Sequence, residues 1–296
     1  MPTRRGPTPE QIRKRRLTAL GVALGAIVAV VVVVLVALPH VRGTSAATPP
    51  PTTIAAEQFR IVFPEGFTRA QMAKRVHDVA KIAERKSGKP VLLNGTAYLA
   101  ATRSIYVPCV SPHRWKNAEG FLFPATYDFV AATTSRQLVQ DQLQAFCANW
   151  RQVNRAYATS KNLTAYDILK IASMIERETL APDERRLVAA VIYNRLHDQM
   201  ALGIDATLRY GLNISPTKSI LESQLQNPTP YNTRLHLGLP PTPIANPGLA
   251  SIQAAAHPAK VDYLYFVRKP DKVHNFFTAS ASAFAQYECA HGYGCG

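Results

Sequence analysis

The chain has 296 residues, a formal net charge of +15 and four cysteines. This length allows one large domain or two modest ones, with enough residues for a substantial hydrophobic core. The positive charge favours a polyanionic partner such as an anionic lipid or an acidic wall polymer, but the sequence contains no RNA- or DNA-reading motif, so we expect no nucleic-acid partner.

The chain begins with a basic tail and an uncharged run. Residues 1–43 carry seven Arg and Lys against one Glu, a local charge of +6 that leaves +9 for the remainder. The 22 residues 17–38 contain no charge, and a helix of that length rises about 33 Å, enough to span a hydrocarbon core of about 30 Å. We therefore predict a single transmembrane helix over residues 17–38.

The charges around this run predict its orientation. Residues 13–16 are RKRR, whereas only Arg42 lies near the other end. The positive-inside rule then predicts a cell-membrane protein with residues 1–16 in the cytoplasm and residues 39–296 outside it. A cleaved signal peptide is the alternative, because small residues follow at 44–48, although its apolar region would usually be only about 7–15 residues long.

A linker and a small mixed subdomain are predicted next. Residues 39–57 are rich in Pro, Thr and Ala, which is typical of an extended linker. FRIVF, from Phe59, is typical of a short strand, and the spacing of Thr68 and Gln71 predicts a capping box at the start of a helix. The predicted buried stripe of this helix is Met72, Val76, Val79 and Ile82. We assign residues 58–134 to a small α+β subdomain.

The pattern becomes helical from residue 135. The predicted elements are helices within 135–153, 164–179 and 182–200, an ordered loop at 236–248 within a Pro-, Gly-, Asn- and Thr-rich region over 201–250, a strand pair at 262–267 and 274–279, and a short helix at 280–288. Residues 135–296 therefore form a predicted helix-rich domain with a short C-terminal strand pair. The overall fold class is α+β.

The four cysteines indicate disulfides rather than metal binding. Cys109, Cys147, Cys289 and Cys295 lack paired CxxC spacing, so we expect no zinc site and no other metal. Outside the cytoplasm two disulfides are expected, with three possible connectivities, and our hypothesis pairs Cys109 with Cys147 and Cys289 with Cys295. Free thiols are the alternative.

Four acidic residues lie within nine positions of residues 176–184. Glu176 lies about 160° around the helix from Glu178, nearer its polar side. Asp183 and Glu184 follow Pro182 in the first turn of the next helix, where acids meet the positive end of the helix dipole. These three acids therefore have ordinary structural explanations.

Glu178 differs from the other three acids. It follows Ile168, Ile171 and Ile175 in steps of three, four and three, so it shares their apolar stripe. Pro182 predicts that the helix ends between positions 178 and 181. Apolar neighbours and the negative helix end would both raise the pKa of this carboxyl, which suits a general acid. A buried Glu hydrogen-bonded to loop backbone is the alternative interpretation.

Several ordered sequence blocks are similar to one known family. IASMIERETLAPDERRLVAAVIYNRL at 171–196 resembles the signature of the MltG/YceG-like endolytic murein transglycosylases. The likeness continues through DATLRYGL at 205–212, YNTRLHLGLPPTPIANPG at 231–248 and AAAHPAKVDYLYFV at 254–267, and upstream through PEGFTRAQMAKRV and EGFLFPATYDF. Together these blocks cover most of residues 60–280.

The resemblance implies an activity. It implies that residues 135–296 are a YceG-like catalytic domain that cleaves the β-1,4 bond between N-acetylmuramic acid and N-acetylglucosamine in peptidoglycan, without a cofactor. The products would carry 1,6-anhydro ends, and the cleavage would terminate nascent glycan strands. Glu178 would be catalytic, and peptidoglycan synthases would be candidate partners.

The resemblance also implies substrate-binding residues, which are Asp205, Thr207, Tyr231, Asn232, Glu119 and Tyr127. Asp205 and Thr207 match an Asp-x-Thr block, although Ala206 stands where many relatives have proline; turn capping is the alternative for both residues. Loop packing is the alternative for Tyr231 and Asn232. A short linker precedes Phe59 where family members commonly carry a LysM-like module, so most of that module is expected to be absent or reduced.

Two rival functions remain open from the sequence. One is a non-catalytic scaffold that binds the cell wall and keeps the fold. The other is a peptidoglycan hydrolase that uses Asp205 as the partner of Glu178, which requires roughly 5–10 Å between the two carboxyl groups.

Overall fold

The computed structural model describes residues 56–294, which belong to a compact unit that begins at Ala56. The predicted tail at 1–16, the predicted transmembrane helix at 17–38 and most of the linker at 39–57 lie outside the described residues. Between residues 56 and 294, no helix is both long enough and apolar enough to cross a bilayer. The predicted mixed α+β class is observed for this part of the chain.

The N-terminal part combines two helices with two small antiparallel sheets. The elements are β1 (Phe59–Val62), α1 (Arg69–Ser87), α2 (Gly95–Ala101), β2 (Arg103–Tyr106), β3 (Arg114–Asn117) and β4 (Thr126–Phe129). Strand β1 pairs with β4, so that Phe59 lies opposite Phe129, and β2 pairs with β3. The first sheet therefore joins the two ends of the predicted small subdomain.

Helix α1 begins where the sequence predicts but buries a slightly different face. Met72 and Val76 are buried, whereas Ile82 is 54% exposed, so its predicted place in the core was wrong. The buried face turns instead through Ala73, Ala80 and Ala83. Helix α2 comes so close that a Cβ on Gly95 would lie 2.5 Å from the carbonyl oxygen of Ala73. This close approach of the two backbones leaves no room for a side chain at position 95.

The C-terminal part is mainly helical and ends in a strand pair. Its elements are α3 (Ser135–Trp150), α4 (Ala156–Ser160), α5 (Ala165–Glu178), a 3₁₀ turn (Pro182–Glu184), α6 (Arg185–His197), α7 (Asp205–Gly211), α8 (Glu222–Leu225), α9 (Leu249–Ala256), β5 (Tyr265–Arg268), β6 (Asn275–Thr278) and α10 (Ala281–Ala290). Strands β5 and β6 form the predicted antiparallel pair. Helices α7 and α8 lie in the Pro-, Gly-, Asn- and Thr-rich region over 201–250.

Helix α5 is central to this part. A capping box begins it, with the Thr164 hydroxyl accepting from the Asp167 N–H and the Asp167 carboxylate accepting from the Thr164 N–H. Ile168, Ile171 and Ile175 are buried, as their spacing predicts. The helix contacts α6, α7 and α9. It therefore holds its C-terminal residue in a fixed place relative to all three neighbours.

Glu184 is buried, which its predicted role at a helix start does not explain. Its carboxylate accepts from the backbone N–H of Asn275 at 3.0 Å and from the Asn275 side-chain amide at 2.6 Å. This carboxylate thus fastens β6 to the start of α6. Glu184 therefore stabilises the contact between these two elements, in addition to any favourable interaction with the helix dipole.

One hydrophobic core draws on both predicted subdomains. Phe121 from the N-terminal part packs against Phe146 of α3 and Tyr166 of α5, at ring-centroid distances of 5.4 and 6.0 Å. The boundary between residues 134 and 135 stays a prediction, because a shared core does not define where a domain begins.

A disulfide joins Cys109, which follows β2, to Cys147 of α3. It therefore links the N-terminal part to the helical part. Cys295 lies outside the described residues, so the second hypothetical pairing, Cys289 with Cys295, stays a prediction.

We expect that replacing both Cys109 and Cys147 with Ala lowers the free energy of unfolding by about 3 kcal/mol. The bridge closes a sequence separation of 38 residues, and a loop of that size restricts the unfolded chain appreciably. Urea unfolding of the oxidised wild type and the double variant measures the difference. Equal unfolding midpoints and slopes for the wild type and the double variant would contradict the expectation. Ser111→Ala, a small change close to Cys109 in sequence, is the control.

Candidate active site

Glu178 is the last residue of α5. Thr179 leaves the helix in an extended conformation, with φ −109° and ψ 123°, while its N–H still donates to the carbonyl of Ile175. The helix therefore ends within the predicted interval. As a whole residue, Glu178 keeps partial solvent exposure.

Two other segments contact this end of the helix. The backbone N–H of Ala206, in the first turn of α7, donates to Glu178 Oε1 at 3.2 Å. Arg268 at the end of β5 donates to the backbone carbonyl oxygen of Glu178. The guanidinium thus places a positive charge at the negative end of α5, where cations are favourable.

The surroundings of Glu178 favour its protonated form. Burial raises the pKa of the carboxyl, and the negative charge of Asp205 raises it as well. The Ala206 N–H and the charges of Arg268 and Arg177 act in the opposite direction, but the net shift is upward. A carboxyl that holds its proton nearer neutrality can act as a general acid.

A cleft of about 760 Å³ has residues next to Glu178 in its wall, although Glu178 itself is not one of the lining residues. Its wall includes Ala206, whose N–H binds Glu178, and Arg177, the preceding residue. The start of α1, the helix α7 and residues 213–216 supply much of the remaining wall. The basic side chains in the wall are Arg69, Lys74, Arg177 and Arg209. The cleft is therefore suited to a ligand that carries negative charge or many hydrogen-bonding groups.

Glu119 lies in the wall of this cleft and is 3% exposed. Its carboxyl accepts from the backbone N–H of Arg69 at 3.0 Å, from the Asn246 side-chain amide at 2.9 Å and from the Tyr210 hydroxyl at 3.0 Å. Burial raises its pKa to about 7, although the hydrogen bonds from Arg69, Tyr210 and Asn246 oppose that shift.

The backbone beside Glu119 requires glycine. Gly120 has φ +89°, and a Cβ there would lie 2.6 Å from the side chain of Pro243. Its N–H and that of Leu122 both donate to the Asn246 side-chain oxygen at 2.9 Å. The EG pair at 119–120 therefore places the carboxyl through a close backbone contact that another residue could not make.

Tyr231 lines the same cleft, as its predicted role requires. It is half-buried, its ring lies 5.1 Å from the ring of Tyr210, and its hydroxyl lies 2.9 Å from that of Thr242. The two tyrosines together form an aromatic part of the cleft wall, which is suited to contact with a sugar ring.

Asp205 and Thr207 occupy different environments. Asp205 is half-exposed and forms an ion pair with Arg234. Thr207 is fully buried, and its hydroxyl donates to the carbonyl of Ile204 at 2.6 Å and contacts the Thr233 hydroxyl at 2.9 Å. The position of Thr207 fits its alternative role in turn capping rather than contact with a ligand.

Asn232 and Tyr127 are also occupied by contacts within the protein. Asn232 is fully buried, and its amide nitrogen donates to the carbonyls of Leu225 and Asn227, both at 2.8 Å. The Tyr127 hydroxyl donates to the carbonyl of Phe123 at 2.8 Å. The structure therefore brings Glu119 and Tyr231 into the cleft wall, and places Thr207, Asn232 and Tyr127 in packing roles.

Sequence reasoning missed three contributors to the site. Arg268 and the Ala206 N–H both bind Glu178, and Tyr210 joins Glu119 to the cleft. DATLRYGL at 205–212 was singled out as a block, but nothing in its spacing distinguishes Tyr210 from a core tyrosine. Arg268 follows the strand predicted at 262–267 and carries no local signal of its contact with α5.

Comparison with known proteins supplies a family. The model of the YceG-like family matches residues 47–288. The endolytic murein transglycosylase of Bacillus subtilis is 31% identical over 216 residues, which cover 71% of this chain and 59% of that protein. The protein of the same name from Streptococcus pneumoniae is 32% identical over 213 residues, 69% of this chain and 36% of its own length.

The chain therefore spans between about a third and three fifths of the length of these curated relatives. A crystal structure of a yceG-like protein from Listeria monocytogenes has a TM-score of 0.66 with 27% identity, covering 77% of this chain and 75% of that one. The likeness in fold thus extends over most of both chains.

Proposed function

The chain belongs to the YceG-like family, and from this membership we propose that it is an endolytic transglycosylase acting on peptidoglycan. It would cleave the β-1,4 bond between N-acetylmuramic acid and N-acetylglucosamine. The observation that carries the proposal is the carboxyl of Glu178 at the end of α5, which has a raised pKa and accepts the N–H of Ala206, a residue of the wall of a basic cleft. The names of the relatives support the same reaction.

In the proposed mechanism, Glu178 serves first as an acid and then as a base. Its proton passes to the glycosidic oxygen as the bond from that oxygen to the muramoyl C1 breaks. The resulting carboxylate takes the proton of the muramoyl C6 hydroxyl, whose oxygen forms the new bond to C1. Glu178 is protonated again at the end, and no water is consumed. Attack within one sugar gains from proximity, so a second catalytic acid is not required.

The charge of the cleft supports a glycan that bears peptides. Peptidoglycan stem peptides carry carboxylates, and four basic side chains belong to the cleft wall. Opposite charges of this kind steer a ligand toward the site, and their effect weakens as salt concentration rises.

The proposal extends to the cell membrane. Residues 17–38 would anchor the protein in the membrane with residues 39–296 on the outer side, where newly made glycan strands are available for termination. Peptidoglycan synthases are then candidate partners. The uncharged run and the basic residues that precede it support this placement.

Mass spectrometry of the products from purified peptidoglycan tests the reaction. We expect fragments with 1,6-anhydro-muramoyl ends. Each is lighter than the hydrolysed product by about 18 Da, the mass of the one water that this reaction does not add. Reducing ends would select the hydrolase that pairs Glu178 with Asp205, whose charge does raise the Glu178 pKa. Binding without any product would select the non-catalytic scaffold.

A further inference from the structure

Glu119 is a buried carboxyl that the mechanism above does not use. It belongs to the cleft wall, and it receives hydrogen bonds from the start of α1, from the loop that contains Asn246 and from α7. Three separate segments therefore meet at one carboxyl beside the cleft. Its partner on α7, Tyr210, is half-buried and also lines the cleft.

The two oxygens of the Glu119 carboxyl have different partners. Oε1 accepts from the Arg69 N–H at 3.0 Å and from Asn246 Nδ2 at 2.9 Å. A backbone N–H can only donate, and the orientation of the Asn246 amide is fixed because its oxygen already accepts two N–H groups. Oε1 therefore has no room for a proton of its own.

Oε2 faces the Tyr210 hydroxyl at 3.0 Å, with the Arg69 N–H more distant at 3.3 Å. A tyrosine hydroxyl can either donate or accept a hydrogen bond. A proton on Glu119 therefore fits on Oε2, where it can be donated to the Tyr210 oxygen, and the hydroxyl hydrogen of Tyr210 is then released from Glu119.

We propose that Glu119 and Tyr210 form a donor–acceptor switch that binds an N-acetyl carbonyl oxygen of the glycan when Glu119 carries its proton. In that state Glu119 donates to the Tyr210 oxygen, and the Tyr210 hydrogen is available to an acceptor in the cleft. When Glu119 is ionised, Tyr210 donates to Glu119 and offers the cleft only a lone pair. The class of ligand rests on the proposed function, since each sugar of that glycan carries an N-acetyl group.

The switch operates near neutral pH. The pKa of Glu119 is raised by burial to about 7. The other ionisable groups that face it are Arg69 of α1, Tyr98 of α2, Tyr166 of α5 and Tyr210 itself. Burial raises the pKa of all three tyrosines, so they stay neutral near pH 7, while an arginine stays charged. Glu119 is therefore the member of this group that titrates near neutrality.

A binding titration tests the switch in a parent variant, Glu178→Gln, which cannot cleave the ligand and has no titrating group at position 178. The probe is tetra-N-acetylchitotetraose, which carries N-acetyl groups and no ionisable group. We expect its Kd to rise about fivefold between about pH 6 and pH 8.5, as one hydrogen bond to the ligand is lost.

Two further substitutions, each added to the parent variant, test the roles of Glu119 and Tyr210 separately. In the parent with Glu119→Gln, the Gln amide donates to Tyr210 as a protonated carboxyl would, so binding stays tight across this pH range. In the parent with Tyr210→Phe, binding is about fivefold weaker at pH 6 and does not change with pH. Tyr193→Phe is the matched control, because its hydroxyl donates to the Ala255 carbonyl at 2.7 Å within the core.

Thermal unfolding checks the titration of Glu119 without any ligand. The pKa of Glu119 is about 7 in the folded chain against an ordinary 4.5, so the folded state binds more protons between these two values. Stability contributed by the proton is then lost as pH rises from about 4.5 to about 7 and is constant above that range. We expect the Tm of the parent to fall across this window by more than that of the parent with Glu119→Gln.

The outcomes distinguish this proposal from the proposed reaction. Equal pH dependence with and without Glu119, unchanged affinity in Tyr210→Phe, or no binding of the probe at pH 6 overturns the switch. If the wild type releases no anhydro ends while the probe binds with the expected pH profile, the switch stands and the transglycosylase proposal falls. If anhydro ends are released and the pH profile is absent, only the switch falls.

Discussion

Glu178→Gln is expected to reduce the release of 1,6-anhydro-ended glycans by at least about a thousandfold, because the variant loses the proton donor and the base in one change. Gln has nearly the same shape as Glu, and its side-chain oxygen can still accept the Ala206 N–H that now lies 3.2 Å from Glu178 Oε1. The fold should remain intact. Product release from purified peptidoglycan, measured by mass spectrometry, and Tm, measured by circular dichroism, check the two parts.

Glu176→Gln is the matched control for this change. Glu176 lies on the same helix, two residues earlier, and its carboxylate accepts the Gly248 N–H at 3.0 Å, a bond that Gln can also accept. We expect its activity to stay near that of the wild type. Full activity in Glu178→Gln, or equal losses in both variants, would remove Glu178 from the proposed mechanism.

The same carboxyl predicts the direction of the pH dependence. Because burial raises the pKa of Glu178, the protonated form that starts the reaction persists to higher pH than for an ordinary glutamate. The rate should fall as pH rises through that raised value, when the proton is lost before the substrate can use it.

Asn246→Ala is expected to lower the free energy of unfolding by about 4–5 kcal/mol. This fully buried side chain accepts from the N–H groups of Gly120 and Leu122 and donates to the carbonyl of Phe67 and to Glu119, each at 2.9 Å. Alanine removes all four hydrogen bonds and leaves the N–H groups of Gly120 and Leu122 buried without this acceptor, whereas the Phe67 carbonyl still accepts the backbone N–H of residue 246. Most domains are stable by only about 5–15 kcal/mol, so a large part of the variant should be unfolded under mild denaturation.

Urea unfolding followed by circular dichroism measures this loss. Asn149→Ala is the control, because the Asn149 amide makes one hydrogen bond, to the Ala145 carbonyl within the same helix. That change should cost less than about 1 kcal/mol. A similar urea midpoint for Asn246→Ala and Asn149→Ala would show that the buried amide of Asn246 does not stabilise the fold as its four hydrogen bonds indicate.

The local features of this fold could be predicted from the sequence. The capping boxes at Thr68 and Thr164 depend on residues three positions apart, and both are present. The end of α5 follows from Pro182, and the inward direction of Glu178 follows from the spacing of the isoleucines that precede it. Each of these signals acts within about one or two helical turns, so the sequence around it contains all the information needed.

The features that could not be predicted depend on distant partners. The contact of Asn246 with Phe67 joins positions 179 residues apart, and that of Glu119 with Tyr210 joins positions 91 residues apart. Ile82 shares the helical spacing of the predicted stripe, but the buried face of α1 runs through alanines instead. No local pattern contains such contacts, so the surroundings of Glu119 became visible only in the folded chain.

The bond between Arg268 and the carbonyl of Glu178 has a consequence for the order in which the C-terminal end of α5 gains its contacts. It joins positions 90 residues apart, so during synthesis the helix can form well before its partner strand leaves the ribosome. Contacts of such long range form late, after the entropy of closing the intervening loop has been lost. The surroundings of Glu178 are therefore completed only after β5 has docked.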